Sequence, residues 1–174
     1  MSAFVRLAVI PVVAALMCAH SAIAATSPIA RDRIEPARDL RQDARDAAAA
    51  GIPLVVMVSL AGCPHCDTIR RAHLLPLLKP SPSPATKPAQ LIRQIELNGG
   101  ESLIDFNGEA TTHAEFARRN KVTIAPVVLF YGAKGERIAD PLVGAMIADF
   151  YGSYFDAALA EAKAKARAPN HRAP

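Results

Sequence analysis

Residues 54–66 read Leu54-Val55-Val56-Met57-Val58-Ser59-Leu60-Ala61-Gly62-Cys63-Pro64-His65-Cys66. Apart from Ser59, the first seven are an unbroken apolar run rich in β-branched residues. That run has the length of a strand buried on both faces, as in a parallel sheet. Ala61-Gly62 ends it, and Pro64 suits the first turn of a helix, where its missing N–H is not needed. A helix is therefore expected to open at Cys63-Pro64 and run to about Leu78. Cys63 then lies at the positive end of that helix, beside backbone N–H groups with no intrahelical partner. Both features favour thiolate over thiol, and the thiolate is the reactive species. Cys66, three residues on, faces the same side and can close a small disulfide with Cys63.

Other uses of such a pair are weighed against this one. Zinc usually takes four ligands, and the chain has no second cysteine pair. His65 points away from the cysteines if helical, and neither His73 nor His113 has a place beside them from sequence; no metal is expected. Covalent haem requires a histidine directly after the second cysteine, and Asp67 stands there. A purely structural bridge remains open, although a loop of two intervening residues removes little unfolded-chain entropy. Redox chemistry leads, with the Cys63–Cys66 disulfide itself as the redox group and no added cofactor.

Upstream, residues 1–24 carry a single charge, Arg6. The apolar run from Leu7 to Ala19 is shorter than the roughly 20 residues a membrane span needs, but suits a secretory leader. Ala22-Ile23-Ala24 offers a small-x-small cleavage site, so cleavage is expected after Ala24. It removes Cys18 and leaves Cys63 and Cys66 as the mature protein's only cysteines, in an extracytoplasmic, disulfide-permissive compartment. A periplasmic, monomeric protein is expected. No other segment approaches spanning length.

The chain has 174 residues, 51% apolar and 21% charged, which excludes a disordered chain. Three cysteines in that length exclude a disulfide-stapled miniprotein. The net charge of +4 is scattered rather than gathered, so no nucleic-acid surface is expected. Residues 25–35 read as an exposed lead. Residues 36–167 read as one domain, and residues 168–174 as a disordered tail.

Within the domain, Pro36 opens a helix through Ala50, stopped by Gly51. Residues 79–88 hold four prolines and read as an exposed loop. Leu91 to Leu97 alternates as a strand, and a short strand is expected at Leu103–Phe106. Thr112 caps a helix ending near Asn120, with Glu115 in capping-box position. Val127–Tyr131 and Arg137–Val143 form a hairpin around Gly132–Gly135. A last helix runs from Met146 to Arg167, its aromatics Phe150, Tyr151, Tyr154 and Phe155 expected to dock on the core. The order α-β-α-β-α-β-β-α implies a mixed sheet with helices on both faces.

The Cys-Pro-His-Cys centre after a buried strand, together with Thr123-Ile124-Ala125-Pro126-Val127-Val128-Leu129-Phe130, resembles the thioredoxin-like superfamily over about residues 36–165. The resemblance implies an α/β fold with a mixed sheet of four or five strands and the dithiol at the head of the first core helix. It implies a cis peptide before Pro126, with Ala125 and Pro126 facing the dithiol and substrate. It implies Cys63 as nucleophile, Cys66 as resolving cysteine, and Pro64 and His65 as redox-tuning residues. Cys-Pro-His-Cys is the centre of the periplasmic disulfide-introducing DsbA proteins, but the stretch from Cys66 to Pro126 is too short for their inserted helical domain. Asp105–Pro126 and Asp149–Tyr154 look more like periplasmic thioredoxins of the SoxS/SoxW type, which serve sulfur-oxidation systems as reductants.

The chain departs from thioredoxins in two places: Ala61-Gly62 replaces the usual aromatic before the first cysteine, and Met57 replaces a buried acid. The implied activity is thiol–disulfide exchange with protein substrates, recycled by a membrane electron donor or acceptor. A reductase is favoured over a DsbA-like oxidase. A non-catalytic module holding a metal or a client protein through Cys63 and Cys66 is the reading of another class.

Overall fold

The computed structural model describes residues 33–79, 90–144 and 148–168. The expected leader, most of the 25–35 lead, the proline-rich loop beyond Lys79 and the tail after Ala168 lie outside the described residues.

Helix α1 spans Leu40–Ala49 and β1 spans Leu54–Ser59. Helix α2 spans Pro64–Ile69 and continues through a wider turn (Arg70–Leu74) and a tighter one (Leu75–Leu78). Then come β2 (Leu91–Glu96), β3 (Ser102–Ile104), β4 (Ala110–Thr112), α3 (His113–Arg119), β5 (Val127–Tyr131), β6 (Leu142–Val143) and α4 (Ala148–Arg167). The main sheet is ordered β2-β1-β5-β6, with β1 parallel to β2 and antiparallel to β5, and β5 antiparallel to β6. β3 and β4 form a separate antiparallel pair. The fold is α/β and thioredoxin-like: a mixed four-stranded sheet, layered by helices on both faces, with the cysteine pair heading the helix that follows β1.

Alternation along β1 builds both layers. Val55 and Met57 face α2 and α4, where Ile69, Tyr151 and Phe155 pack with Val128 and Phe130. Leu54, Val56 and Val58 face α1 and α3, where Leu40, Ala44, Phe116 and Ala117 pack with Leu129 and Tyr131. All six residues of β1 are buried, as its unbroken apolar run requires.

The first helix begins at Leu40 rather than Pro36. Glu35 to Ala37 instead extend along the outer edge of β2, Ala37 N–H donating to Gln94 O (2.8 Å) and Gln94 N–H to Glu35 O (2.9 Å). Asp39 supplies the cap, its carboxylate accepting from Gln42 N–H at 2.8 Å. Covering an unpaired strand edge satisfies more backbone groups than one extra helical turn, so the extended form wins. For the same reason the expected exposed lead ends earlier: Ile34 is 4% exposed and packs in the α2/α4 layer.

Two further expectations need correction. The partner of β5 is interrupted between Arg137 and Leu142, because Pro141 has no N–H to give the ladder. Of the four aromatics in α4, only Tyr151 and Phe155 dock; Phe150 and Tyr154 are 59% and 58% exposed. The buried stripe runs 151, 155, 158, 159, 162 and 166, a helical spacing that excludes 150 and 154. Thr112 does cap α3, accepting from Glu115 N–H (3.3 Å), but Glu115 turns to Arg118 and Arg119 instead of closing a capping box.

Candidate active site

The site sits where β1 ends. Gly62, at φ +71°, makes the break into α2 in the left-handed region that favours glycine, and Cys63 N–H donates to Leu60 O at 3.2 Å. Cys63 is the N-cap of α2, its Sγ accepting from Cys66 N–H at 3.1 Å. Pro64 takes the first turn. Cys63 and Cys66 are joined as a disulfide with Cα atoms 5.3 Å apart. Their environments differ sharply. Cys66 is completely buried in the α2/α4 layer, whereas Cys63 is half-buried and Pro64 and His65 are exposed. The exposed sulfur suits first attack on a large substrate, and the buried one suits the second, internal attack.

β5 returns to the same end of the sheet, Val127 standing opposite Val58. The bond between Ala125 and Pro126 is cis. Ala125 and Cys63 both pack against the same apolar layer, at the end of the sheet where β1 ends and β5 begins. Pro126 is buried, and its carbonyl accepts from Gly144 N–H at 2.7 Å, which ties the motif to the end of β6. Around this end the apolar residues Leu60, Ile124 and Val143 stay exposed.

Met57 lies in the same buried layer as Cys66, and its thioether carries no proton. Sequence reasoning did not anticipate the polar group beside it. Arg70 donates to Ser59 Oγ (3.0 Å), to Gln94 Oε1 (3.1 Å) and to Asp67, while Gln94 donates to Glu96 (2.6 Å). Apart from Ser59, these residues border an open cleft of about 480 Å³ together with Arg33, Arg71, Glu101 and His113. The signals were present but weak: Ser59 is the one polar residue in the β1 run, and Arg70 lies one helical turn after Cys66.

The two histidines outside the motif, His73 and His113, make their contacts elsewhere. His73 packs against Tyr151 and Phe155, ring centroids 5.1 and 5.6 Å away. His113 is buried, its Nδ1 accepting from Glu96 N–H (3.2 Å) and its Nε2 donating to Ala37 O (2.8 Å), which pins the N-terminal strand segment to β2. Among the described residues no three His, Cys, Asp or Glu side chains gather as a metal site. No helix among them is long and apolar enough to cross a membrane.

No protein-family profile matches the chain, and no curated protein matches it. Among solved structures, it is similar to mitochondrial thioredoxin 3 of Saccharomyces cerevisiae in its oxidized form. They share 16% identity and a TM-score of 0.47, over 74% of this chain and 94% of the yeast one. It is also similar to a thioredoxin-fold protein from Helicobacter pylori, at 12% identity and a TM-score of 0.42, over 73% of this chain and 91% of the other.

Proposed function

We propose that this chain is a thiol:disulfide oxidoreductase exchanging disulfides with protein substrates through Cys63 and Cys66. The observation that carries the reading is the asymmetric pair: a half-exposed Cys63 bridged to a fully buried Cys66, at the head of a helix. In the reductive direction the Cys63 thiolate attacks a substrate disulfide, forming a mixed disulfide and expelling one substrate thiolate. Cys66 thiolate then attacks Cys63 Sγ, closing the intramolecular disulfide and releasing the second substrate thiol. Two electrons pass from the dithiol to the substrate. Leu60, Ile124 and Val143, exposed at this end of the sheet, offer an extended apolar substrate segment a surface.

The expected leader at residues 1–24 supports a periplasmic protein, and the stretches Asp105–Pro126 and Asp149–Tyr154, which resemble periplasmic thioredoxins, favour a reductase or thiol-maintenance protein over the oxidase that Cys-Pro-His-Cys alone suggests, serving a sulfur-oxidation partner and reduced again by a membrane donor. Replacing Cys66 with Ala is expected to trap substrates as mixed disulfides on Cys63, separable on non-reducing gels from periplasmic extract. No trapped partner, together with no insulin reduction by the native chain, would overturn the reading. In cells, Cys63–Cys66 should be mostly reduced, and should become oxidised when the membrane donor is deleted; a pair oxidised throughout indicates the oxidase direction.

A further inference from the structure

We propose that Arg70 is a positioning residue for the resolving step, holding a fixed cation on the face of α2 that carries Cys66 and so favouring the Cys66 thiolate. The inference rests on the dithiol reading above. Residues four apart on a helix are neighbours, and a helical side chain leans back toward the preceding turn. That register holds here, since Arg70 N–H donates to the carbonyls of Cys66 and Asp67. The guanidinium is pinned from two strands, by Ser59 of β1 and Gln94 of β2, and its side chain is only 19% exposed.

The need for such a charge follows from burial. Cys66 is completely buried among apolar groups, which disfavours its thiolate. Met57 in that layer provides neither a charge nor a proton acceptor. The charged groups near the guanidinium are Asp67 and Arg71 on its own helix and Glu96 on β2, with Arg33, Glu101 and His113 across the cleft. Asp67 partly neutralises Arg70, but its side chain is 47% exposed and therefore more screened by water than the cation it faces. Of the pair, the Arg70 cation is therefore the less screened charge.

Reaction of the reduced protein with 5,5′-dithiobis(2-nitrobenzoate) separates the two steps. Cys63 thiolate breaks the reagent's disulfide and releases one thionitrobenzoate. Cys66 thiolate then breaks the mixed disulfide and releases the second, its proton passing to water. Followed by stopped flow across pH, Arg70→Met is expected to slow the second release about tenfold at neutral pH, because the Cys66 thiolate loses a nearby cation. The first release should be unchanged, and the second should recover its native rate near pH 10. Arg70→Lys should fall between the two.

If Arg70→Met does not fold, Asp67→Asn supplies the opposite sign: a second release faster than native at neutral pH. A second release unchanged in the folded variants, or slowed by the same factor at every pH, overturns the proposal. Insulin reduction by the native chain is read separately. If it is absent while the pH effect is present, the protein-substrate reading falls and the role of Arg70 stands.

Discussion

At the residue scale, the dithiol owes its asymmetry to where one helical turn points. Cys63 caps α2 at the protein surface, and Cys66, three positions on, turns into the core. His65 lies exposed between them, and the redox-tuning role expected of it is an effect on the Cys63 sulfur. A cationic or donor side chain there stabilises the reduced form, since only that form carries the thiolate. His65→Pro is therefore expected to lower the reduction potential by tens of millivolts, where 30 mV corresponds to about 1.4 kcal/mol. Equilibration with glutathione buffers measures it, and an unchanged equilibrium would remove His65 from any tuning role. The two cysteines, Pro64 and His65 were legible in the sequence because they are contiguous and because Pro64 marks the helix start. Arg70 was not, because one arginine in a helix looks like any solvated charge until its partners on β1 and β2 are known.

At the scale of elements, turns and edges decided more than propensities did. The turn between β5 and the interrupted β6 brings Gly135 against the ring of Phe106, at φ +77°, so a side chain there meets both backbone strain and an aromatic wall. Phe106 is itself held between Phe116 and Tyr131, at centroid distances of 5.9 and 4.6 Å, and has little room to yield. Gly135→Ala is expected to lower stability by about 1–3 kcal/mol, read from urea unfolding, with the dithiol chemistry unaffected. A neutral substitution would show that the ring swings aside. The sequence marked this turn through its two glycines, whereas the reach of Phe106 into it depends on the β3–β4 pair, which only the fold assembles. The extended course of Glu35–Ala37 was likewise hidden, because its hydrogen-bond partner on β2 lies almost sixty positions away.

At the scale of the whole molecule, two layers share one sheet, and each buries a tyrosine. Burial pushes the Tyr131 hydroxyl up to about 12, partly offset by the nearby Arg137 guanidinium. Burial also pushes Tyr151 well above its ordinary value, and its hydroxyl has no hydrogen-bond partner among the described residues. Both groups bind their protons more tightly folded than unfolded. The stability they contribute is fully present below the unfolded value near pH 10 and is lost as pH rises through the folded values. Alkaline unfolding is expected to steepen above about pH 10, by up to ~1.4 kcal/mol per pH unit for each tyrosine. Tyr151→Phe should flatten that slope and cost little at neutral pH, since it removes an unpaired buried hydroxyl. Urea titrations between pH 8 and 11 test this, and an identical slope in the variant would count against it.

The sequence by itself determined the order of the helices and of the main-sheet strands but not the β3–β4 pair, together with the strand buried on both faces, the α/β class and the pairing of Cys63 with Cys66. Each of these depends on side-chain chemistry repeated within a few residues. Only the tertiary structure decided that Arg70, on the helix that carries the buried sulfur, is pinned to Ser59 and Gln94. It alone decided that His113 fastens Ala37 to β2. Those bonds join residues 11, 24 and 76 positions apart, and no local pattern encodes contacts made only when the sheet closes.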